Sequence, residues 1–227
     1  MKYKAILLDA DGTILDFEAA EENAVNGLLR QLGVTDPDAP NVYRKHNSEC
    51  WKMLERGELT QKELEVRRFA LFLEHYGMKN NAREVADAYI DLLAQQSIIL
   101  PGALEAVCEL EKLASLAVVT NGIPRVQHGR MDHSPLRPHF GPYVISGEEG
   151  VSKPDPRLLY IALEKLGVEP KDALMVGDSL SSDIRAANNA GVDACWINPA
   201  HKQRPSDVNI RYEIDHICEL PAILRGE

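Results

Sequence analysis

Short apolar runs separated by helix-length segments are the feature that most restricts the fold of this chain. The first run, Ala5–Leu8, lies near the N-terminus. Four more follow Pro101-Gly102, namely Ala117–Val119, Tyr143–Ile145, Leu174–Val176 and Ala194–Ile197. Continuous apolar runs of this length are typical of strands buried on both faces. Helices are predicted at Ala103–Leu113, after Pro124, at Arg157–Leu166 and at Ser181–Ala190. This alternation favours an α/β fold with a parallel sheet between helices.

The stretch from about Glu18 to Gln96 differs from the rest of the chain, because its sequence pattern is almost purely helical. One apolar stripe ends at Gly33, and a capping box at Thr60–Glu63 opens another helix that ends near Gly77. Further helices are predicted at Val42–Glu55 and over the stripe from Val85 to Leu93, with a loop at Pro37 and Pro40. The first strand needs partners, so it must join the later sheet. We expect a core of residues 1–15 and 98–227, with an inserted all-helical cap domain of residues 16–97.

Polar residues follow the apolar runs in four places. Asp9 and Asp11 follow the first run, and their period-two spacing lets both side chains enter one cleft. The other three groups are Thr120-Asn121-Gly122, Lys153, and the segment Gly177–Asp183 that contains Asp178 and Asp183. Ligands bind at the carboxyl ends of strands in open parallel sheets, so these groups are expected to share one crevice. Carboxylates suit Mg²⁺, whereas lysine, hydroxyl and amide donors suit phosphate oxygens.

Taken singly, most of these residues have an ordinary structural explanation. Asn121-Gly122 is a common turn pair, and an isolated Lys153 would be a solvated surface residue. Asp183 could simply favour the first turn of a helix. Only Asp178 within Gly-Asp-Ser is moderately specific by itself. The combination of the four groups, each at a predicted strand end, is therefore what points to a site.

In this order, the four motifs resemble those of the haloacid dehalogenase (HAD) superfamily of phosphohydrolases, and the helical insert resembles that superfamily's cap. The resemblance covers nearly the whole chain and implies a Rossmann-like core. It implies that Asp9 is the nucleophile that forms an aspartyl-phosphate, and that Asp11 is the general acid and base. The second aspartate favours phosphoryl transfer, because dehalogenase members generally lack it.

The same resemblance assigns a cofactor and a phosphate site. It implies Mg²⁺ held by Asp9, the backbone carbonyl of Asp11 and Asp178, with Asp183 acting through water or by orienting these ligands. Thr120, Asn121 and Gly122 would bind the transferring phosphoryl group, and Lys153 would neutralise its charge.

A narrower resemblance points to the noncanonical pyrimidine 5′-nucleotidases, which act on pyrimidine nucleoside 5′-monophosphates such as UMP. It is carried by Asp16-Phe17, Trp51, Arg56–Thr60, Arg68-Phe69, Leu100–Gly102, Thr120–Gly122 and Asp193–Asn198. The chain departs from that subgroup at Ile123-Pro124 and Gly147. Phe17, Trp51 and Arg68 either contact the base and sugar or pack the cap helices, and packing is favoured for Phe17 and Trp51.

Three alternatives remain open at the level of sequence. Two keep the superfamily: a phosphatase for phosphoglycolate or a sugar phosphate, and a phosphomutase. The third is a receiver or scaffold module that is phosphorylated on an aspartate without turnover. Receivers carry the acceptor aspartate after an internal strand and lack such an insert, so Asp9 after the first strand, with Asp11 beside it, favours an enzyme.

Bulk properties restrict the partners. The formal net charge of −10 argues against binding to a nucleic-acid polymer or a membrane surface. No apolar stretch approaches a membrane span, and no signal-peptide pattern precedes the first strand. The four cysteines are scattered, which indicates buried or half-buried thiols in a reducing compartment. We expect a cytoplasmic monomer or homodimer that acts on a small phosphomonoester.

Overall fold

A parallel sheet organises residues 2–226, the part of the chain that the computed structural model describes, Glu55 by its backbone alone. Within this range the sheet has six strands: β1 (Ala5–Leu8), β2 (Ser115–Thr120), β3 (Tyr143–Ile145), β4 (Ala173–Gly177), β5 (Asp193–Ile197) and β6 (Tyr212–Ile214). The spatial order is β3-β2-β1-β4-β5-β6, and every neighbouring pair is parallel. The α/β, Rossmann-like class is confirmed.

The first strand lies at the centre of the sheet. Leu8 at its end is in register with Val118 of β2 and with Val176 of β4. The strand order reverses between β1 and β4, and such a reversal is where open parallel sheets form a ligand crevice. The residues that follow β1, β2 and β4 therefore converge on one edge of the sheet.

Helices cover both faces of the sheet. They are α5 (Ala103–Glu111), α6 (Pro124–Asp132), α7 (Ser146–Glu149), α8 (Arg157–Leu166), α9 (Arg185–Ala190) and α10 (Leu220–Arg225). Side chains of β1 alternate between two apolar cores, because Ile6 and Leu8 pack on one face while Ala5 and Leu7 pack on the other. This double burial explains why the strand reads as a continuous apolar run.

The insert folds as four helices: α1 (Phe17–Leu32), α2 (Ala39–Glu55), α3 (Gln61–His75) and α4 (Ala82–Ala94). They enclose their own apolar core, in which the rings of Tyr43, Phe69 and Tyr89 pack together. The predicted capping box at Thr60 is present. Two linkers join these helices to the sheet and pair with each other, since Asp16 N donates to Ile98 O at 3.0 Å. We call the four helices the helical insert.

Several local predictions need correction. Helix α2 begins at Ala39, with Pro40 inside its first turn, where the missing N–H costs no hydrogen bond. The helix predicted from Ser181 begins as a π-helical turn, Leu180–Ile184. Strand β6 was not predicted, because it follows a long polar loop and its three residues form no apolar run. Cys218 is exposed rather than buried, and all four thiols are free.

Between residues 2 and 226, no helix combines the length and the apolar character needed to cross a membrane.

Candidate active site

Asp9 and Lys153 form a buried ion pair at the carboxyl edge of the sheet. Asp9 directly follows β1, and its backbone N–H continues the ladder by donating to Val176 O at 2.9 Å. Lys153 Nζ lies 2.6 Å from Asp9 Oδ1, and the two residues are 1% and 7% exposed. Buried charges of this kind persist only when they are paired. The solvated surface lysine that an isolated Lys153 would suggest is thus not what the fold produces.

Asn121 fixes the backbone of Lys153. Its side-chain amide donates to Lys153 O and its side-chain carbonyl accepts from Lys153 N, each at 2.8 Å. Lys153 Nζ donates further to Val119 O at 2.7 Å. The loop after β2 therefore holds the lysine at both its backbone and its side chain. In this arrangement both polar ends of Asn121 are engaged by protein.

Three carboxylates lie together beside this pair. One carboxylate oxygen from each of Asp9, Asp178 and Asp183 lies within 4.8 Å of the others. Asp183 Oδ1 is 2.7 Å from Lys153 Nζ, and its Oδ2 accepts from Ser179 N at 3.0 Å. One lysine is thus shared between two buried carboxylates, and Asp178 adds a third negative group.

Burial and mutual repulsion disfavour the charged forms of the carboxylates in this cluster. Burial raises the pKa of Asp9, and the neighbouring carboxylates add to that effect against the attraction of Lys153. Although Asp178 is accessible to solvent, desolvation by the surrounding protein and repulsion from Asp183 raise its pKa to about 6. Burial opposes the charge on Lys153, but Asp183 and Asp9 more than compensate and raise its pKa. Additional positive charge in the cluster would relieve this repulsion.

Gly12 lets the first loop approach the carboxylate cluster. Its φ of +74° lies in the left-handed region, and a Cβ there would stand 2.7 Å from Asp178 Oδ2. Any side chain at this position would therefore displace Asp178 or the turn itself.

Asp11 is held by two side chains of helix α6. Its Oδ1 forms an ion pair with Arg130 Nη1, and its Oδ2 accepts from Gln127 Nε2 at 2.8 Å. Arg130 is fully buried and also donates to Gln96 O at 3.2 Å, in the second linker of the helical insert. The sequence did not predict the contacts of Gln127 and Arg130 with Asp11. The only signal was their i, i+3 spacing on a predicted helix, which does not reveal what that face contacts.

Thr120 and Gly122 flank Asn121 at the end of β2. Thr120 is buried, and its Oγ1 lies 3.5 Å from Gln127 Nε2. Gly122 N donates to Ser146 Oγ at 3.2 Å, while Gly122 O accepts from Gln61 Nε2 at 2.6 Å. Because Gln61 opens α3, this last bond joins the helical insert directly to the candidate phosphate loop. All predicted site residues therefore lie along one continuous edge.

A cavity of about 590 Å³ lies between this edge and the helical insert. Asp9, Asp11, Lys153 and Asp178 line its floor. Apolar side chains on its walls are Phe17, Trp51, Leu54, Leu93, Ile123 and Val126. Phe17 and Trp51 thus face the cavity, and Phe17 also packs against the apolar core of the insert, as favoured from sequence. The volume is in the range of pockets that hold small molecules.

Comparison with protein families agrees with the geometry. Residues 3–191 match the family described as haloacid dehalogenase-like hydrolase. The chain belongs to this family. HAD-like hydrolases are enzymes, so the alternative of a non-catalytic receiver or scaffold finds no support.

Two curated relatives resemble the chain over nearly its whole length. Pyrimidine 5′-nucleotidase PynA of Streptococcus pneumoniae is 38% identical, over 94% of this chain and 92% of the relative. Pyrimidine 5′-nucleotidase YjjG of Escherichia coli is 30% identical, over 99% of both chains. These matches support a phosphatase and confirm the resemblance that the sequence motifs indicate.

A solved structure shares the architecture. The magnesium-bound HAD-hydrolase YfnB of Bacillus subtilis has a TM-score of 0.91 to this HAD-like hydrolase, with 31% identity and 99% coverage of each chain. That crystal form is described as revealing interdomain movement.

Proposed function

We propose that this HAD-like hydrolase is a Mg²⁺-dependent phosphatase for pyrimidine nucleoside 5′-monophosphates, acting through an aspartyl-phosphate on Asp9. The observation that carries the chemistry is the buried Asp9–Lys153 pair beside Asp178 and Asp183, on the floor of the cavity. The relatives named above support the substrate class.

In the first step, one carboxylate oxygen of Asp9 attacks the phosphorus while Lys153 holds the other oxygen. The bond between phosphorus and the ester oxygen breaks, and Asp11 delivers a proton to the departing nucleoside alkoxide. Thr120 and the Lys153 ammonium stabilise charge on the transferring phosphoryl oxygens. The products of this step are a neutral nucleoside and phosphorylated Asp9.

In the second step, Asp11 removes a proton from a water molecule that attacks the phosphorus of phospho-Asp9. The acyl phosphate P–O bond breaks, which releases inorganic phosphate and restores the Asp9 carboxylate. Gln127 and Arg130 position Asp11 for both transfers, because each holds one of its two carboxylate oxygens.

The donor set fits a divalent cation. Asp9 and Asp178 would hold Mg²⁺ together with the backbone carbonyl of Asp11, and Asp183 would orient Lys153 and the adjacent loop. Carboxylate oxygens at mutual distances within 4.8 Å match the preference of Mg²⁺ for hard oxygen ligands. When bound, the cation neutralises negative charge on the carboxylates and the substrate phosphate.

Addition of Mg²⁺ is expected to raise the melting temperature of the metal-free protein. A ligand that binds only the folded state stabilises it by about 2.7 kcal/mol at one hundred times its Kd. Differential scanning fluorimetry with an EDTA baseline measures this shift. Asp178→Asn should abolish most of the shift, whereas an equal shift in that variant would place the cation elsewhere.

Gln127→Leu is expected to lower kcat by about 10- to 100-fold with a much smaller change in KM. It removes a partly buried hydrogen bond to the Asp11 carboxylate, and hydrogen bonds to charged groups contribute about 1.5–3 kcal/mol. Steady-state phosphate release measures the effect. Gln31→Leu makes the same substitution at an exposed site on α1 and serves as the control. Equal effects in the two variants would refute a role for Gln127 in positioning Asp11.

The helical insert is proposed to act as a cap, residues 16–97, that closes over substrate and excludes water. Its contact through Gln61 to the loop after β2 and the paired linkers support this assignment. A nucleoside monophosphate fits the cavity by volume and presents a flat base to the apolar walls.

A panel of monophosphates tests the proposed function. Phosphate release from UMP, dUMP and dTMP is compared with release from ribose 5-phosphate, phosphoglycolate and AMP, with and without EDTA. We expect kcat/KM for the pyrimidine nucleotides to exceed the others by at least about tenfold, as expected when a specific group is recognised. A preference for a sugar phosphate or phosphoglycolate would be consistent with the proposed phosphatase mechanism but would refute pyrimidine nucleotides as the substrate class.

A further inference from the structure

A buried polar cluster in the helical insert lines the cavity opposite the catalytic floor. We propose that Arg68, supported by Asn47 and Glu21, reads the base of the substrate by donating hydrogen bonds to a carbonyl oxygen of the pyrimidine ring. This inference rests on the proposed function, since it names the residues that select the pyrimidine.

Arg68 is held rigidly within α3. It is 2% exposed, its Nη1 donates to Asn47 Oδ1 at 2.9 Å and lies 3.3 Å from the Tyr43 hydroxyl. The guanidinium carbon lies 4.9 Å from the ring centroid of Tyr89 and 5.0 Å from that of Phe69. Contacts with two rings and the hydrogen bond to Asn47 restrict the guanidinium, so its remaining donors have a limited range of directions.

One edge of this guanidinium is unused by the protein. Arg68 Nε and Nη2 are both buried and have no hydrogen-bond partner, although the residue lines the cavity. These two atoms form the edge that presents two parallel N–H donors. Leaving buried donors unsatisfied is costly, and native proteins rarely do so without a reason. The missing partner is therefore expected to come from the ligand.

The surroundings favour a neutral acceptor. Glu21 is buried beside the cluster, its Oε1 accepts from Asn47 Nδ2 at 2.9 Å, and it attracts the positive charge of Arg68. Because the Glu21 carboxylate already offsets the positive charge of Arg68, the Nε and Nη2 donors favour a neutral carbonyl oxygen over a second carboxylate as their acceptor. Trp51 and Phe17 supply apolar surface in the same cavity for the faces of a ring. Every pyrimidine base carries a ring carbonyl at C2, and a sugar phosphate carries none.

The test compares Arg68→Met with wild type on UMP and on ribose 5-phosphate. The measured quantity is the ratio of the two kcat/KM values. We expect this ratio to fall by about 10- to 100-fold in the variant, because a charged donor pair to the base is lost. Arg67→Met makes the same substitution at the neighbouring exposed position and is expected to keep the wild-type ratio.

Each outcome separates the two proposals. A wild-type enzyme that does not prefer UMP over ribose 5-phosphate refutes the proposed function, and base recognition with it. A wild-type preference that survives in Arg68→Met refutes only the role of Arg68. If thermal melting shows that this variant does not fold, Arg68→Lys decides the matter. It keeps the positive charge and loses the paired donors, so it must also lose the preference if the inference is correct.

Discussion

Asp9→Asn is expected to lower phosphate release by at least about 10⁴-fold, the scale of loss seen when a covalent nucleophile is removed. An asparagine amide cannot form the acyl phosphate, and no other carboxylate stands in the position directly after β1. Asp178 and Asp183 are nearby, but Asp183 is committed to Lys153 at 2.7 Å and to Ser179 N. The measurement is steady-state release from UMP in saturating Mg²⁺.

Asp207→Asn is the matched control for this variant. Asp207 lies on the surface, where it pairs with Arg185, so its loss should leave turnover within about twofold, as is usual for isolated surface positions. Substantial turnover by Asp9→Asn, beyond any slow deamidation that mass spectrometry would detect, would contradict the assignment of the nucleophile.

Lys153→Met is expected to lower both activity and stability. Removing one electrostatic stabiliser of a transition state typically costs about 10²- to 10³-fold in kcat. It also leaves the buried carboxylates of Asp9 and Asp183 without their cation, and breaking a buried pair costs about 3–5 kcal/mol. Urea unfolding in EDTA measures the loss of stability. Mg²⁺ should restore part of it, because it returns positive charge to the same cluster.

The double variant Lys153→Met/Asp183→Asn separates the two effects. It removes one of the two orphaned charges, so it should be more stable than the single variant while remaining equally inactive. Recovery of activity together with stability would mean that Lys153 is structural only. An undiminished stability of Lys153→Met would contradict the buried pairing seen in the structure.

The polar residues at strand ends could be predicted because their position follows from the sheet alone. Asp9, Thr120 and Asp178 each follow a buried apolar run, and parallel strands bring such positions to one edge. Lys153 is harder, since it lies beyond the end of β3. Its place was predicted only loosely, from a loop that follows the third run, and its role came from the family resemblance. Physically its place depends on the two hydrogen bonds with Asn121, a tertiary contact that no local pattern encodes.

The residues that were missed or misjudged owe their position to packing between separate elements. Arg130 and Gln127 on α6 reach Asp11 across the fold, 119 and 116 positions away in the sequence. Phe17 and Trp51 also line the cavity, which the sequence did not reveal, because helical periodicity cannot distinguish an apolar face that meets a core from one that meets a cavity. Strand β6 alternates apolar and polar residues over only three positions, which is too short to predict a strand. The sequence therefore predicts the polar edge of the sheet better than the wall of the cavity opposite it.

The most direct test of the central claim is transfer of phosphate from UMP to Asp9. The enzyme is mixed with UMP carrying labelled phosphate, quenched in acid within one turnover, and digested with trypsin. We predict a hydroxylamine-sensitive label on the peptide of residues 5–30, localised to Asp9 by fragmentation. Uridine should appear in a burst of matching size, if breakdown of the acyl phosphate is the slower step. Label on another residue would contradict Asp9 as the nucleophile, and release of phosphate with no labelled protein at any quench time would contradict the covalent route.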